Sequence, residues 1–222
     1  MDGYTTIPSD KGVFLPTSYR MHNYVCKFIS DIAYDGRLVP EYDNSKQKLI
    51  LSKNHDKRLQ ETGIKFIEAQ HDSCSQASTE EAEVIKELVD DLLKHTYSDK
   101  QGIVSQITLE NILIVAPYNM QVNLLKKILP EDSRIGTVDK FQGQEAEVVI
   151  VSMTTSSGEY LPRYIDFLFS RQRLNVSISR AKCLALLVAN PKLLEVNCNT
   201  VEQMGLVNTL CYAYHVGTEN TV

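Results

Sequence analysis

Three runs without a polar residue constrain this chain more than anything else in it: Ile112-Leu113-Ile114-Val115-Ala116, Val148-Val149-Ile150-Val151 and the stretch from Leu184 to Ala189. A strand with one face in water alternates apolar and polar side chains, whereas a strand buried on both faces reads as a continuous apolar run. Segments of helical period separate the three runs. Strands of this kind, spaced by helices, assemble into a mainly parallel sheet covered on both sides. The pattern predicts an α/β fold with three α/β/α layers.

The remaining elements are read from local signals. Val25, Phe28, Ile29 and Ile32 fall at helical spacing between Met21 and Tyr34, and Asp35-Gly36 ends that helix. Ser78 and Glu81 form a capping box ahead of the stripe Ile85, Leu88, Val89 and Leu92. Further helices are expected over Met120–Leu129, Tyr164–Phe169, Leu174–Ala181 and Val201–Tyr214, with strands at Ile64–Ala69, Arg134–Val138 and Val148–Met153. Residues 40–62, 70–77 and the stretch following the second helix are polar and read as loops. The expected division is an irregular leading segment over 1–16, one domain over 17–214 and a tail over 215–222.

Net charge is −5. That weighs against a broad basic face coating nucleic acid and leaves room for a narrow track of backbone contacts. The five cysteines are scattered, with no Cys-x-x-Cys pair and no histidine at metal-site spacing, and read as reduced thiols. No basic and apolar leader opens the chain, and its apolar runs are too short to span a bilayer. These points predict a cytoplasmic protein with no membrane partner and no metal site of its own. No Gly-x-Ser-x-Gly elbow is present, and no Gly-x-x-x-x-Gly-Lys-Ser/Thr phosphate loop.

Four blocks carry the candidate chemistry: Thr17-Ser18-Tyr19-Arg20-Met21-His22, Val115-Ala116-Pro117-Tyr118-Asn119-Met120-Gln121, Thr137 to Glu145, and Arg173 to Lys182. In this order and spacing they resemble the second, C-terminal RecA-like domain of superfamily 1 helicases, members of the P-loop NTPase superfamily. The branch they most resemble contains the nonsense-mediated-decay helicase. Within it, they are similar to bacterial proteins that fuse a RecB-like nuclease to such a helicase.

The resemblance implies a role for each residue. Arg180 is similar to the arginine finger, and Arg20 to a second arginine on the γ-phosphate. Arginine suits both because its planar fork binds two phosphate oxygens and stays charged. Glu145 is similar to the acceptor of a nucleotide ribose, and Gly143 in the same turn permits close backbone approach or a positive φ. Gln142 resembles a group coupling the nucleotide cleft to the nucleic-acid track. Thr137 and Asp139 would contact a strand backbone, as would Tyr118 and Asn119. Simpler readings stand beside these: Arg180 as a solvated helix arginine, Glu145 as a charge on a loop, and Pro117-Tyr118-Asn119 as an ordinary turn with Asn119 as helix cap. Arg163, Arg171, Arg173 and Lys182 are candidates for added local positive charge.

The resemblance implies the motor domain of a longer ATP-dependent helicase or translocase. Its cofactors would be ATP and Mg²⁺, held with a preceding RecA-like domain that brings the Walker motifs. Single-stranded DNA or RNA would be its other partner, and a nuclease domain a further one. Alone, the chain would hold no cofactor and lack ATPase activity. The alternative class is a non-catalytic RecA-like scaffold that binds nucleic acid or protein.

Overall fold

The apolar runs lie side by side. In the computed structural model, which describes residues 11–162 and 165–219, the elements in chain order are β1 (Thr17–Ser18), α1 (Asn23–Ala33), β2 (Val39–Pro40), β3 (Lys48–Ile50), β4 (Gly63–Glu68), α2 (Thr79–Leu92), β5 (Thr96–Ser98) and β6 (Val104–Gln106). Next come β7 (Ile112–Val115), α3 (Asn119–Ile128), β8 (Arg134–Gly136), β9 (Ala146–Ser152), α4 (Ile165–Leu168), α5 (Arg171–Ile178), β10 (Ala181–Ala189) and α6 (Val201–Glu219). Five strands form one sheet in the order β4-β10-β9-β7-β8, every neighbouring pair parallel.

Alternate residues of each apolar run feed opposite cores. Leu113, Val115, Val149, Val151, Ala185 and Leu187 face a cluster built with α1, α5 and α6. Ile112, Ile114, Val148, Ile150, Leu184 and Leu186 face a second cluster built with α2 and α3. Period two therefore persists inside the runs, and both phases are apolar because both faces are covered. The expected three-layer architecture is present.

Several elements differ from the sequence reading. Residues 40–62 are not simply a loop: β3 within them pairs with β5, and β5 with β6, in a small antiparallel sheet beside the main one. These strands are three residues long, and all of β6 is exposed, so no apolar pattern marks them. The strand at Arg134 stops at Gly136, and Val138–Phe141 is a 3₁₀ turn that buries Phe141. The last helix runs to Glu219, five residues past Tyr214. A Cβ on Gly217 would stand 2.7 Å from the Phe66 backbone nitrogen, so only glycine lets this turn lie against β4. The capping box of α2 is half made: Ser78 Oγ accepts from Glu81 N at 3.1 Å, but Ser78 N donates to Gln121 Oε1 instead of to Glu81.

Candidate functional site

The segment 137–145 joins the two ends of the sheet. Gly136 is level with Val115, and Val115 with Val151, while Ala146 pairs with Ala181 below them. Val151 is five residue steps along β9 from Ala146, a drop of about 17 Å at roughly 3.3 Å per residue. The segment begins at the carboxyl edge and ends at the amino edge. Phe141 pins it to the core, and Gly143, at φ +82° with open space around it, supplies the left-handed turn.

At the amino edge, Arg20 and Glu145 meet. The backbone carrying Arg20 is fixed by Asn44 Nδ2 donating to Ser18 O at 2.8 Å and Gln47 Nε2 to Arg20 O at 2.8 Å. His22 closes the block by capping α1, its Nδ1 accepting from Tyr24 N at 3.2 Å. Burial holds the His22 imidazole below its ordinary pKa. Arg20 Nε donates to Glu145 Oε2 at 2.7 Å and Nη1 to Ser179 O at 3.1 Å. Lys182 lies 3.3 Å from Glu145 and 3.1 Å from Glu147. Burial pushes the Glu145 carboxyl up, but Arg20 and Lys182 together outweigh it and hold the group below its ordinary value. The Lys182 ammonium is lowered by burial and raised by Glu147 and Glu145, with a net increase. A cavity of about 250 Å³ opens here, lined by Tyr19, Arg20, Tyr97, Lys100, Glu145 and Lys182 among others.

Arg180 leaves the end of α5, its Nε donating to Val176 O at 3.1 Å. Its guanidinium is destabilised by burial and next by the charge of Arg20, so the two arginines are electrostatic neighbours. The lining of the amino-edge cavity is charge-balanced, with Arg20, Lys100 and Lys182 against Asp99, Glu145 and Glu147, and Arg180 stands outside it beside Arg20. Arg180 lines a second cavity of about 320 Å³ with Asp139, Gln142 and Arg173.

A third cavity, about 300 Å³, opens toward the carboxyl edge and shares Asp139 and Arg173 with the second. Its walls are Thr137, Tyr118, Asn119, Gln76 and Phe167. Tyr118 is only 6% exposed, its ring stacked on Phe167 at 5.6 Å, with the Arg173 guanidinium 4.4 Å from the centre of the Phe167 ring. Tyr118, not Asn119, is the N-cap residue of α3, which corrects the reading of Asn119 as the cap; Asn119 is the first helical residue and is exposed.

The candidate residues therefore follow three cavities in a row, the second and third sharing Asp139 and Arg173, and the first linked to the second by the neighbouring charges of Arg20 and Arg180. Arg20 and Glu145 occupy the amino end of this row, Gln142 and Arg180 its middle, Thr137, Asp139, Tyr118 and Asn119 its carboxyl end, with Gly143 on the connecting turn. Of the suggested basic residues, Lys182 and Arg173 join it. Arg171 does not, since its Nη2 donates to Gly205 O on α6 at 3.0 Å, and Arg163 lies outside the described residues. Tyr97, Lys100 and Gln76 join the row without any mark in their local sequence, because separate loops bring them to the cavities. All five cysteines are free, and no metal-ligating cluster occurs among the described residues. No helix among them is long and apolar enough to cross a membrane.

Comparison with known proteins gives this site its context. The AAA domain family matches residues 4–192. DNA polymerase alpha-associated DNA helicase A of Schizosaccharomyces pombe is 32% identical over 187 residues, covering 76% of this chain and 26% of the relative. Putative helicase mov-10-B.2 of Danio rerio is 30% identical over 203 residues, covering 81% and 19%. The Saccharomyces cerevisiae DNA polymerase alpha-associated DNA helicase A is 28% identical over 204 residues, covering 82% and 28%. The chain spans a fifth to just over a quarter of these relatives' length. It belongs to the AAA domain family, as a domain of the superfamily 1 helicase type.

Proposed function

We propose that the chain is the second, C-terminal RecA-like motor domain of a longer ATP-dependent helicase or translocase, with the domain over residues 17–214 as expected and its packing carried on by α6 to Glu219. The observation that carries this reading is the meeting of Arg20 with Glu145 at the amino edge, Arg180 next to Arg20, and Thr137, Asp139 and Asn119 toward the carboxyl edge, the two edges joined by a single nine-residue segment. The neighbouring guanidinium groups of Arg20 and Arg180 fit a polyphosphate, and the Glu145 carboxylate fits a ribose hydroxyl. ATP supplies the γ-phosphoryl group that passes to water. Arg180 and Arg20 would stabilise the charge developing on that group. Glu145 would orient the sugar, and Gln142 would relay closure of this end to the strand-binding end.

A preceding RecA-like domain would bring the phosphate loop and the ligands for Mg²⁺, and a cytoplasmic setting suits both. A single strand of DNA or RNA would run past Thr137, Asp139, Tyr118 and Asn119, touched through its backbone and not its bases. Similarity to nuclease–helicase fusions makes a nuclease domain part of the same proposal.

The test is Arg180→Ala in the longer protein. An arginine finger contributes roughly 10³–10⁵ in rate in related phosphate-loop NTPases. The variant should lose turnover while keeping nucleotide affinity, and the isolated wild-type chain should hydrolyse no ATP. Near-normal turnover in the variant would refute the assignment.

A further inference from the structure

A polar network lies buried behind the carboxyl-edge cavity, and neither nucleotide chemistry nor strand contact uses it. Its centre is Glu81, fully buried in the first turn of α2. Oε2 accepts from Ser152 Oγ at 2.5 Å, and the two carboxylate oxygens accept from Thr154 N at 2.9 and 2.8 Å. His71 Nε2 lies 3.1 Å from Oε1, and His71 Nδ1 lies 2.7 Å from Ser156 Oγ. Cys74 N already donates to that hydroxyl at 2.9 Å. The imidazole thus bridges Ser156 to Glu81, in the tautomer that its two partners set. Ser152 Oγ and Thr154 N both donate to Glu81, so both depend on an acceptor at this position.

The network grips both walls of the cavity. On one side Gln121, fully buried, receives Ser78 N at 2.8 Å and donates to Ser78 O at 3.2 Å and Ser152 Oγ at 3.1 Å. Gln121 sits in the first turn of α3, two residues after Asn119. On the other side, Ser156 N donates to Cys74 O at 2.9 Å and Thr155 Oγ1 to Ser75 O at 2.8 Å, tying down the strip that ends at Gln76. Thr154, which joins the halves, has φ +71°. A threonine in the left-handed region is strained and needs surroundings that hold it there. Glu81 supplies them by accepting its amide twice.

We infer that Glu81 is the positioning residue of the strand-binding end: through Ser152–Gln121 it sets the Tyr118–Asn119 wall, and through Thr154–Ser156 and His71 it sets the Gln76 wall. Sites of this kind work when supporting hydrogen bonds lock their contact residues in place. The inference rests on the nucleic-acid reading for its purpose, but not for its geometry.

Glu81→Gln keeps the shape but replaces one of the two acceptors of Thr154 N by a donor, which loosens the hold on the strained Thr154. Asp91→Asn is the control: Asp91 holds another buried histidine, with His95 Nε2 3.1 Å away, at the far end of α2. Three quantities are measured on the chain: thermal midpoint, affinity for labelled oligo(dT) and oligo(U) well below each midpoint, and amide exchange at residues 76 and 118–121. Glu81→Gln should weaken single-strand affinity about tenfold and speed exchange at both walls, since small misplacements of contact residues are costly. Asp91→Asn should lower the midpoint and leave affinity and wall exchange unchanged. Equal affinity losses in the two variants at equal loss of midpoint would overturn the inference, as would wild-type wall exchange in Glu81→Gln. A wild-type chain that binds neither oligonucleotide would refute the nucleic-acid reading instead, and wall exchange would still decide the role of Glu81. If Glu81→Gln does not fold, Gln121→Met, which keeps the volume and cuts only one arm, should loosen 118–121 and spare residue 76; loosening at neither position would again overturn it.

Discussion

The Arg20–Glu145 pair should be weak, and its weakness can be measured. The ion pair is 2.7 Å long, but its side chains remain 32% and 44% exposed. Pairs this open to solvent stabilise by about 0.2–1 kcal/mol in double-mutant cycles, because water screens the charges and two long side chains must be held still. A cycle of Arg20→Ala, Glu145→Gln and the double variant, read by urea denaturation, should give a coupling energy below about 1 kcal/mol. For a domain of this size that corresponds to roughly 2–4 °C in midpoint at most. Because Glu145 is held below its ordinary pKa, its contribution is complete above the unfolded carboxylate value of about 4.3 and fades as pH falls through the lower folded value. The cycle repeated in strong acid should therefore show almost no coupling. A value above about 2 kcal/mol at neutral pH would mean a dry, locked pair. Arg20 would then be a strut, unable to leave Glu145 for an incoming phosphate, and the exchange implied by the proposed function would be wrong.

Two further tests address packing and thiol chemistry. Gly217→Ala should lower the urea midpoint by the equivalent of about 1–3 kcal/mol, since the new methyl meets the Phe66 and Lys65 backbone at 2.7 and 3.2 Å; an unchanged midpoint would mean that α6 does not press on β4. Burial pushes the Cys26 thiol up to about 11 and raises that of Cys183 further, so iodoacetamide at neutral pH should spare both in the native chain and label all five cysteines in urea. Equal native and unfolded rates at Cys183 would contradict its burial.

The central sheet was legible because burial on both faces forces an apolar run, and such runs survive in a bare sequence. The helices packed on it were legible for the related reason that one face must be apolar. The antiparallel sheet was not, since Lys48–Ile50, Thr96–Ser98 and Val104–Gln106 are three residues each and place only Leu49 and part of Tyr97 on the core, too few for a period to show. Glu81 illustrates a subtler failure. Its spacing from Ser78 is that of a capping box, and the backbone half of that motif forms. The carboxylate instead serves Ser152, Thr154 and His71, partners 71, 73 and 10 residues away that no local pattern connects. Among the candidate site residues, those within the four blocks were placed by resemblance. Tyr97 and Lys100 could be found only once the chain had folded back on itself.

The descent of residues 137–145 bears on how such a domain can diversify. Strand spacing sets the height the segment must cover, and Phe141 and Gly143 already absorb the difference between that height and the length of chain. An insertion there would disturb the register of β9 or unseat Phe141, so the connector tolerates little change in length. The turn at Asp99–Gly102 is under no such constraint. It hangs from an outlying sheet over the amino-edge cavity, and residues can be gained, lost or exchanged there without moving a strand of the main sheet. The shape of the amino-edge cavity therefore has an inexpensive route to change through this turn, while the segment joining the two edges stays as it is.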